Sequence, residues 1–195
     1  SMIRTAPWSR LLIVPCLIAA GALSSCEAID DVLDGPEIIE TDYLIVSPSA
    51  LADAATEYVY YRQTTGYDAQ ATTVDALVGE NWWTEDLVEA LHVQLQANVD
   101  RLDGERPMYL LLLGDAPGDG EGTSGLIPSV ECDNDYGDCY TDNRYGDLDG
   151  DGNPDVIVGR VPARTEEQAL AYLDKVMDHE RNYTVGPHNR RISLY

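Results

Sequence analysis

The chain has 195 residues, 35 acidic and 12 basic, and its formal net charge at pH 7 is −23. This acidity argues against nucleic acid as a partner, because phosphate backbones are bound mainly by Lys and Arg. An apolar content of 44% is enough for a core and argues against global disorder, and the length suits one domain of ordinary size.

Residues 1–25 have the pattern of a bacterial lipoprotein signal peptide. Arg4 and Arg10 form a basic start, and the apolar run from Leu11 to Leu23 is too short to span a bilayer. The run ends at Leu23-Ser-Ser-Cys26, which resembles the lipobox, in which the signal peptidase cuts before the cysteine that becomes lipidated. We therefore predict acyl chains on Cys26 that attach the protein to a membrane without a spanning helix. The predicted location is the bacterial cell envelope, with the outer membrane favoured, and an ordinary secretory signal is the alternative.

Residues 26–41 are predicted to form an acidic tether, and an α/β region is predicted for residues 42–195. Within that region, apolar runs that fit strands alternate with amphipathic runs that fit helices. The first predicted elements are a strand at Tyr43–Ser47, a helix ending at Gly66, a strand within residues 67–74, a helix from Thr84 to Gly104 and a strand at Met108–Leu113. The last strand is an unbroken apolar run, which is typical of a central parallel strand covered on both faces.

A loop of roughly forty residues follows Leu113, and a loop of that length is expected to be functional instead of a mere connector. It contains Cys132 and Cys139, which are predicted to form a disulfide because the protein is expected to be exported. A short strand at Val156–Val158 ends the loop.

A capping box at Thr165–Gln168 begins a helix that runs to Asn182, and a further strand is predicted at Arg191–Tyr195. The alternation of elements predicts a three-layer, doubly wound α/β fold with a mostly parallel sheet and helices on both faces. Ligands in such folds bind beyond the carboxyl ends of the strands, so the long loop is predicted to lie at the functional edge. No GxGxxG or Walker loop follows the first strand, so no nucleotide cofactor is predicted.

The most informative stretch of the long loop runs from residue 147 to residue 155. Oxygen-bearing side chains occupy alternate positions in it: Asp147, Asp149, Asp151, Asn153 and Asp155. Gly150 and Gly152 allow the backbone to curl so that these oxygens converge. Carboxylates this close repel one another unless a cation lies between them, and oxygen ligands without His or Cys favour calcium. We therefore predict a Ca²⁺ site, with a solvated acidic turn as the alternative. The loop is not an EF-hand, because Val158 stands where the bidentate Glu would be.

The block from Tyr140 to Arg164, which contains the aspartate run and Val158-Gly-Arg160, resembles the gingipain family of cysteine peptidases. Weaker likenesses agree with it in the strand Tyr43–Ser47, the strand that ends in Gly114-Asp115 and the helix Lys175–Asn182. The resemblance implies a caspase-like α/β catalytic region made of two subdomains, of which residues 42–195 would be the first.

The resemblance also implies peptide-bond hydrolysis by a His-assisted cysteine thiolate through an acyl-enzyme. In the family, the catalytic His, often in a Gly-His-Gly context, and the nucleophilic Cys lie in the second subdomain. His92, His179 and His188 are not in that context, so structural or surface roles are predicted for all three. No residue of this chain is predicted to be catalytic. Either the sequence is truncated before the catalytic half, or the protein has lost that half.

Two functions remain open from the sequence. The first is the N-terminal part of a lipid-anchored, calcium-stabilised cysteine endopeptidase that binds its protein or peptide substrate through the second subdomain. The second is a non-enzymatic, calcium-binding surface lipoprotein used for adhesion or assembly. Arg160 is expected to pair with carboxylates of the long loop or with the second subdomain, or to be a surface arginine.

Overall fold

The computed structural model describes residues 36–118, 125–132, 139–184 and Gly186. Several predicted features lie outside the described residues: the signal peptide with Cys26, most of the tether, His188 and the strand at Arg191–Tyr195. In chain order, the elements are β1 (Tyr43–Ser47), α1 (Ala52–Thr64), β2 (Ala69–Thr73), α2 (Val74–Val78), α3 (Thr84–Leu102), β3 (Tyr109–Leu113), β4 (Val130–Cys132), β5 (Cys139–Thr141), β6 (Ile157–Val161) and α4 (Glu166–Asn182). Short 3₁₀ helices are also present at Ser49–Leu51 and Asn143–Tyr145.

A parallel sheet of four strands, in the order β2-β1-β3-β6, forms the centre of the fold. Tyr43 lies opposite Ala69 and Tyr109, and Tyr109 lies opposite Ile157. Because the strands are parallel, they all begin at one edge, which we call the amino edge, and end at the other, the carboxyl edge. β4 and β5 pair separately as an antiparallel hairpin.

Side chains of the central strands are buried on opposite faces of the sheet, because successive side chains of a strand point to opposite sides. One face packs against α3 and buries Leu44, Val46, Leu110 and Leu112. The other face packs against α1 and α4 and buries Ile45, Leu111 and Leu113. Helices therefore cover both faces of a parallel sheet, which confirms the predicted three-layer α/β fold.

Local side-chain bonds fix the starts of the two long helices. The hydroxyl of Thr165 accepts from the amide of Gln168 at 3.3 Å, as the capping box predicts. The Gln168 side chain accepts from the amide of Arg164 instead of the Thr165 amide, so only half of the reciprocal box forms. At the start of α3, the amide of Trp83 donates to the carboxylate of Asp86 at 2.6 Å.

The packed part of the chain begins before Asp42, where the sequence had suggested that the tether ends. The amide of Ile39 donates to the Gln94 side chain at 2.9 Å, and the amide of Thr41 donates to the Asn98 side chain at 2.8 Å. Gln94 and Asn98 are buried polar residues on α3. Their need for hydrogen-bond partners explains why residues 39–41 are held against the helix.

Sequence patterns missed α2, the β4–β5 hairpin and the 3₁₀ helix at Asn143–Tyr145. These elements are short, and they are held by contacts that no local pattern reports. Ile127, Val130 and Tyr145 are buried in the core on the α3 face of the sheet. Among the helices that the structure describes, none is long and apolar enough to cross a membrane.

Candidate metal centre

The long loop after β3 crosses the α3 face of the sheet and returns to the amino edge. It leaves the carboxyl end of β3 at Gly114, and β6 begins at the amino edge with Ile157 opposite Tyr109. Asp155 stands two positions before Ile157, so the aspartate run lies at the amino edge. The loop leaves from the carboxyl edge, as predicted, but its aspartate run lies at the amino edge, because a strand parallel to β3 has to be entered from that edge.

Three carboxylates of the aspartate run converge. One ligand oxygen each from Asp147, Asp149 and Asp151 lies within 4.8 Å of the other two. Calcium–oxygen distances are about 2.3–2.6 Å, so oxygens on opposite sides of one ion are about 5 Å apart. The spacing of these three oxygens therefore fits a single Ca²⁺.

Asp147 is the buried member of the cluster, with 8% of its surface exposed. One of its carboxylate oxygens accepts from the amide of Gly152 at 3.1 Å. The other, Oδ1, is buried and has no hydrogen-bond partner in the described part of the chain. A buried carboxylate oxygen without a partner costs free energy, and a bound cation would remove that cost. The donor set and the buried oxygen therefore both fit a hard divalent cation.

The two other predicted ligands, Asp155 and Asn153, make hydrogen bonds within the same turn. The carboxylate of Asp155 accepts from the amide of Leu148 at 2.9 Å, which closes the turn. The side-chain amide of Asn153 donates to the carboxylate of Asp151 at 3.1 Å. The structure thus brings together three of the four predicted carboxylates. Of these, Asp149 and Asp151 also accept from the amides of Asp151 and Asn153, at 3.0 and 2.8 Å.

Two glycines are required by the local geometry. Gly152 has a φ of +90°, which is unfavourable for residues with a Cβ. Gly146 is needed for close approach, because its carbonyl accepts from the amides of Asp155 and Val156 at 2.7 and 3.2 Å. A Cβ on Gly146 would lie 2.6 Å from a methyl group of Val158.

Arg160, near the carboxyl end of β6, holds three segments of the long loop together. Its Nε and Nη2 donate to the two carboxylate oxygens of Asp142, both at 2.7 Å. Its Nη1 donates to the carbonyls of Gly114 and Ile127 at 2.9 and 2.8 Å. The hydroxyl of Ser129 also donates to Asp142 at 2.8 Å. We call these five residues the Arg160 clamp, and they confirm the first of the three roles expected for Arg160.

The environment of Asp142 favours its ionised form. Burial alone raises the pKa of this carboxyl group. The hydrogen bonds and positive charge of Arg160, with the hydroxyl of Ser129, outweigh burial and hold the pKa below its ordinary value. Because the Arg160 side chain is only 12% exposed, loss of either partner would leave a poorly solvated charge.

A pocket of about 460 Å³ opens at the carboxyl edge, beside the ends of β1 and β2. Val74, Trp82 and Leu126 give it apolar walls, and Asp75 and Glu80 give it acidic groups. Its described lining contains no cysteine or histidine, so it offers no Cys–His pair for catalysis.

The described cysteines and histidines have structural partners. Cys132 and Cys139 lie opposite each other at the end of the β4–β5 hairpin and are joined by a disulfide, with their Cα atoms 5.1 Å apart. Nε2 of His92 donates to the carbonyl of Arg144 at 2.8 Å. The ring of His179 packs edge-on against Tyr183. None of the described histidines therefore has a cysteine thiol beside it.

The sheet, its two helical layers and the block from Tyr140 to Arg164 define an α/β domain related to cysteine proteases. The model of Peptidase family C25 matches the chain over residues 39–195, and the chain belongs to this family, the gingipain family. No curated protein sequence gives a significant match.

Solved structures with the same fold are much longer than this chain. One is the crystal structure of dimeric latent PorU from Porphyromonas gingivalis, with 22% identity and a TM-score of 0.60 over 80% of this chain. Another is the structure of a protease, with 22% identity and a TM-score of 0.57 over 73% of this chain. The chain spans 17% and 29% of these two structures. At this identity the likeness establishes the fold, and the activity of the longer proteins does not follow from it.

Proposed function

We propose that this chain is the N-terminal, non-catalytic part of a lipid-anchored, calcium-stabilised cysteine endopeptidase. The observation that carries the proposal is the family match over residues 39–195. The described cysteines form a disulfide, and the described histidines bind a carbonyl or pack on a tyrosine. The proposal places the nucleophilic thiolate and its imidazole base in the second subdomain, as the resemblance to the family implies.

Calcium is proposed to bind Asp147, Asp149 and Asp151. The proposal is supported by the convergence of these carboxylates and by the buried Oδ1 of Asp147. A divalent ion would offset the mutual repulsion of the three carboxylates and hold the turn that leads into β6. The role is structural, because the site lies at the amino edge and the catalytic edge of such folds is the carboxyl edge.

The lipid anchor is proposed on Cys26, and its support comes from the sequence alone. Acyl chains on Cys26 would place the domain at the surface of the bacterial cell envelope. In a bacterium that expresses the protein, wild type should be found with the membranes and Cys26→Ala should not. Equal membrane association of both forms would contradict the anchor.

A peptidase assay on two polypeptides tests the enzymatic proposal. The chain ending at Tyr195 should not cleave peptides, because the residues that the structure describes contain no thiolate–imidazole pair. A longer product of the same gene, extended through a downstream Gly-His-Gly and a following cysteine, should cleave peptides in a thiol-dependent manner.

The assay also separates this proposal from the alternative of a calcium-binding lipoprotein for adhesion or assembly. Thiol-dependent cleavage by the short chain would show that the catalytic centre has been misplaced. A natural stop codon after Tyr195, or an extended product without activity, would favour the non-enzymatic lipoprotein.

A further inference from the structure

The aspartate run and the Arg160 clamp lie at opposite edges of the sheet but belong to one continuous segment. Asp142 and Arg160, the ionic partners of the clamp, stand on either side of residues 147–155 in the sequence. The middle of the segment carries the candidate calcium ligands at the amino edge. Its two ends, Asp142 and Arg160, are joined to each other, and Arg160 fastens them to the carbonyl of Gly114 at the carboxyl end of β3.

Asn143 connects the two sites directly, because it follows Asp142 and contacts the aspartate run. Its carbonyl accepts from the amide of Asp147 at 3.1 Å. Its side-chain amide donates to the carbonyl of Gly152 at 3.2 Å. Asp147 is the buried candidate ligand, and its carboxylate accepts from the amide of Gly152. Gly152 is thus bonded to Asp147 through its amide and to Asn143 through its carbonyl. A shift of Asp142 therefore moves the residue on which the ligand geometry depends.

The strand β6 supplies the second connection. The amides of Asp155 and Val156 donate to the carbonyl of Gly146, so the end of the aspartate run is tied to the turn that follows Asn143. From there β6 runs to Arg160, paired along its length with β3. The aspartate run and the Arg160 clamp are thus linked in two ways: through the hydrogen bonds of Asn143 and through β6.

We propose that Arg160 couples calcium binding at the amino edge to anchoring of the long loop at the carboxyl edge. Calcium holds Asp147 and Asn143 in place, which presents Asp142 to the guanidinium. In the reverse direction, the clamp prepares the ligand geometry for calcium. Coupling of this kind is reciprocal, so each site strengthens the other by the same factor. The inference rests on the calcium site proposed above.

Calcium titration calorimetry on the full 195-residue chain tests the coupling. Arg160→Met removes the guanidinium and leaves Asp142 with Ser129 as its only clamp donor. We expect calcium affinity to fall about tenfold, within the range of roughly 5- to 150-fold typical of coupled sites. The loss should be partial, because buried Tyr145, whose hydroxyl donates to the Pro128 carbonyl at 2.6 Å, still holds the 3₁₀ helix.

Arg62→Met is the matched control. Arg62 is also mostly buried and paired with a carboxylate, Glu180, but it lies between α1 and α4 on the other face of the sheet. This variant should keep the wild-type calcium affinity within about twofold. General destabilisation by loss of a buried arginine would weaken calcium binding in both variants, and that result would overturn the coupling.

Amide hydrogen exchange gives a second readout. The amides of Gly114 and Ile127 donate to the carbonyls of Val161 and Asp115, next to the clamp. Calcium should slow their exchange in wild type and in Arg62→Met, and this slowing should be lost in Arg160→Met. Calcium-independent exchange at these amides in wild type would contradict the inference.

The outcomes separate the inference from the proposed site. Absence of calcium binding by wild type would refute both. Binding by wild type with equal affinity in Arg160→Met would refute the coupling alone. If Arg160→Met does not fold, Arg160→Lys replaces it, because it keeps the charge and loses the bidentate fork. Arg160→Lys should bind calcium several-fold more weakly, and unchanged affinity would again refute the coupling.

Discussion

At the scale of single residues, the turn that carries the aspartate run depends on a position where the backbone has no room for a side chain. Gly146 is such a position, because its neighbours are a methyl group of Val158 and the carbonyl of Val156. The sequence marked Gly150 and Gly152 as turn glycines but gave no signal for Gly146. The need for glycine at position 146 comes from its packing against Val156 and Val158, and a local sequence pattern does not show which segments will pack together.

Gly146→Ala should therefore destabilise the protein. The added Cβ would lie 2.6 Å from the Val158 methyl and 2.8 Å from the Val156 carbonyl oxygen. Overpacking of this kind costs about 1–3 kcal/mol in the free energy of unfolding, measurable by urea denaturation. Gly159→Ala on β6 is the control, because its Cβ would meet no atom within 4 Å. Equal stability of the two variants would contradict the account.

At the scale of elements, sequence and structure agree where a segment carries its own signal. The apolar runs of β1 and β3 and the helical spacing of α3 and α4 were sufficient to predict those elements. The β4–β5 hairpin was missed because each of its strands has only three residues, too few to show a periodic pattern. In the fold, the hairpin contributes the buried side chain of Val130 to the core. The convergence of Asp147, Asp149 and Asp151 was predictable because they are close in sequence. The Asp142–Arg160 pair joins residues 18 positions apart, and which carboxylate Arg160 would meet is set by the fold.

The contact between α1 and α4 has a predictable pH dependence. The carboxylate of Glu180 accepts from the hydroxyl of Tyr61 at 2.6 Å and from Arg62 at 3.0 Å. Burial raises the pKa of Glu180, but the bonds to Tyr61 and Arg62 and the charge of Arg62 outweigh it, and the pKa is lowered. A carboxyl group with a lowered pKa stabilises the fold above its unfolded pKa of about 4.3, and loses that contribution as the pH falls through the folded value.

Glu180→Gln should therefore be less stable than wild type at pH 7, by less than about 1 kcal/mol because the pair is partly exposed. The difference should shrink as the pH falls from the unfolded pKa of about 4.3 through the lower folded pKa, since the wild-type carboxylate becomes protonated over that range. Urea denaturation of both proteins at several pH values measures it. Asp174→Asn, which changes an exposed carboxylate on the same helix, is the control. A difference that stays constant down to pH 3 would show that the Glu180 charge is not involved.

At the scale of the whole molecule, the chain carries a large excess of negative charge, and repulsion between carboxylates is strongest where several of them lie close together. The formal charge is −23, and three carboxylates converge beside the buried oxygen of Asp147. The topology supports a structural role for this site, because the aspartate run lies at the amino edge and leads directly into β6. This structural role is the one proposed for calcium in a domain to which no catalytic residue is assigned.

Thermal unfolding in calcium and in chelator tests this central claim most directly. Calcium at 100 times its Kd should stabilise wild type by about 2.7 kcal/mol. That corresponds to a rise in Tm of about 5–10 °C for a domain of this size. Asp149→Ala should lose this rise. In chelator its stability should be close to that of wild type, because removal of one of three mutually repelling carboxylates offsets loss of the hydrogen bond from the Asp151 amide at 3.0 Å.

Asp174→Ala, which removes an exposed carboxylate from α4, should keep the full rise in Tm and so excludes a general effect of lowered negative charge. The account predicts a calcium-dependent Tm in wild type and in Asp174→Ala, and a calcium-independent Tm in Asp149→Ala. The same Tm for wild type in calcium and in chelator would contradict it.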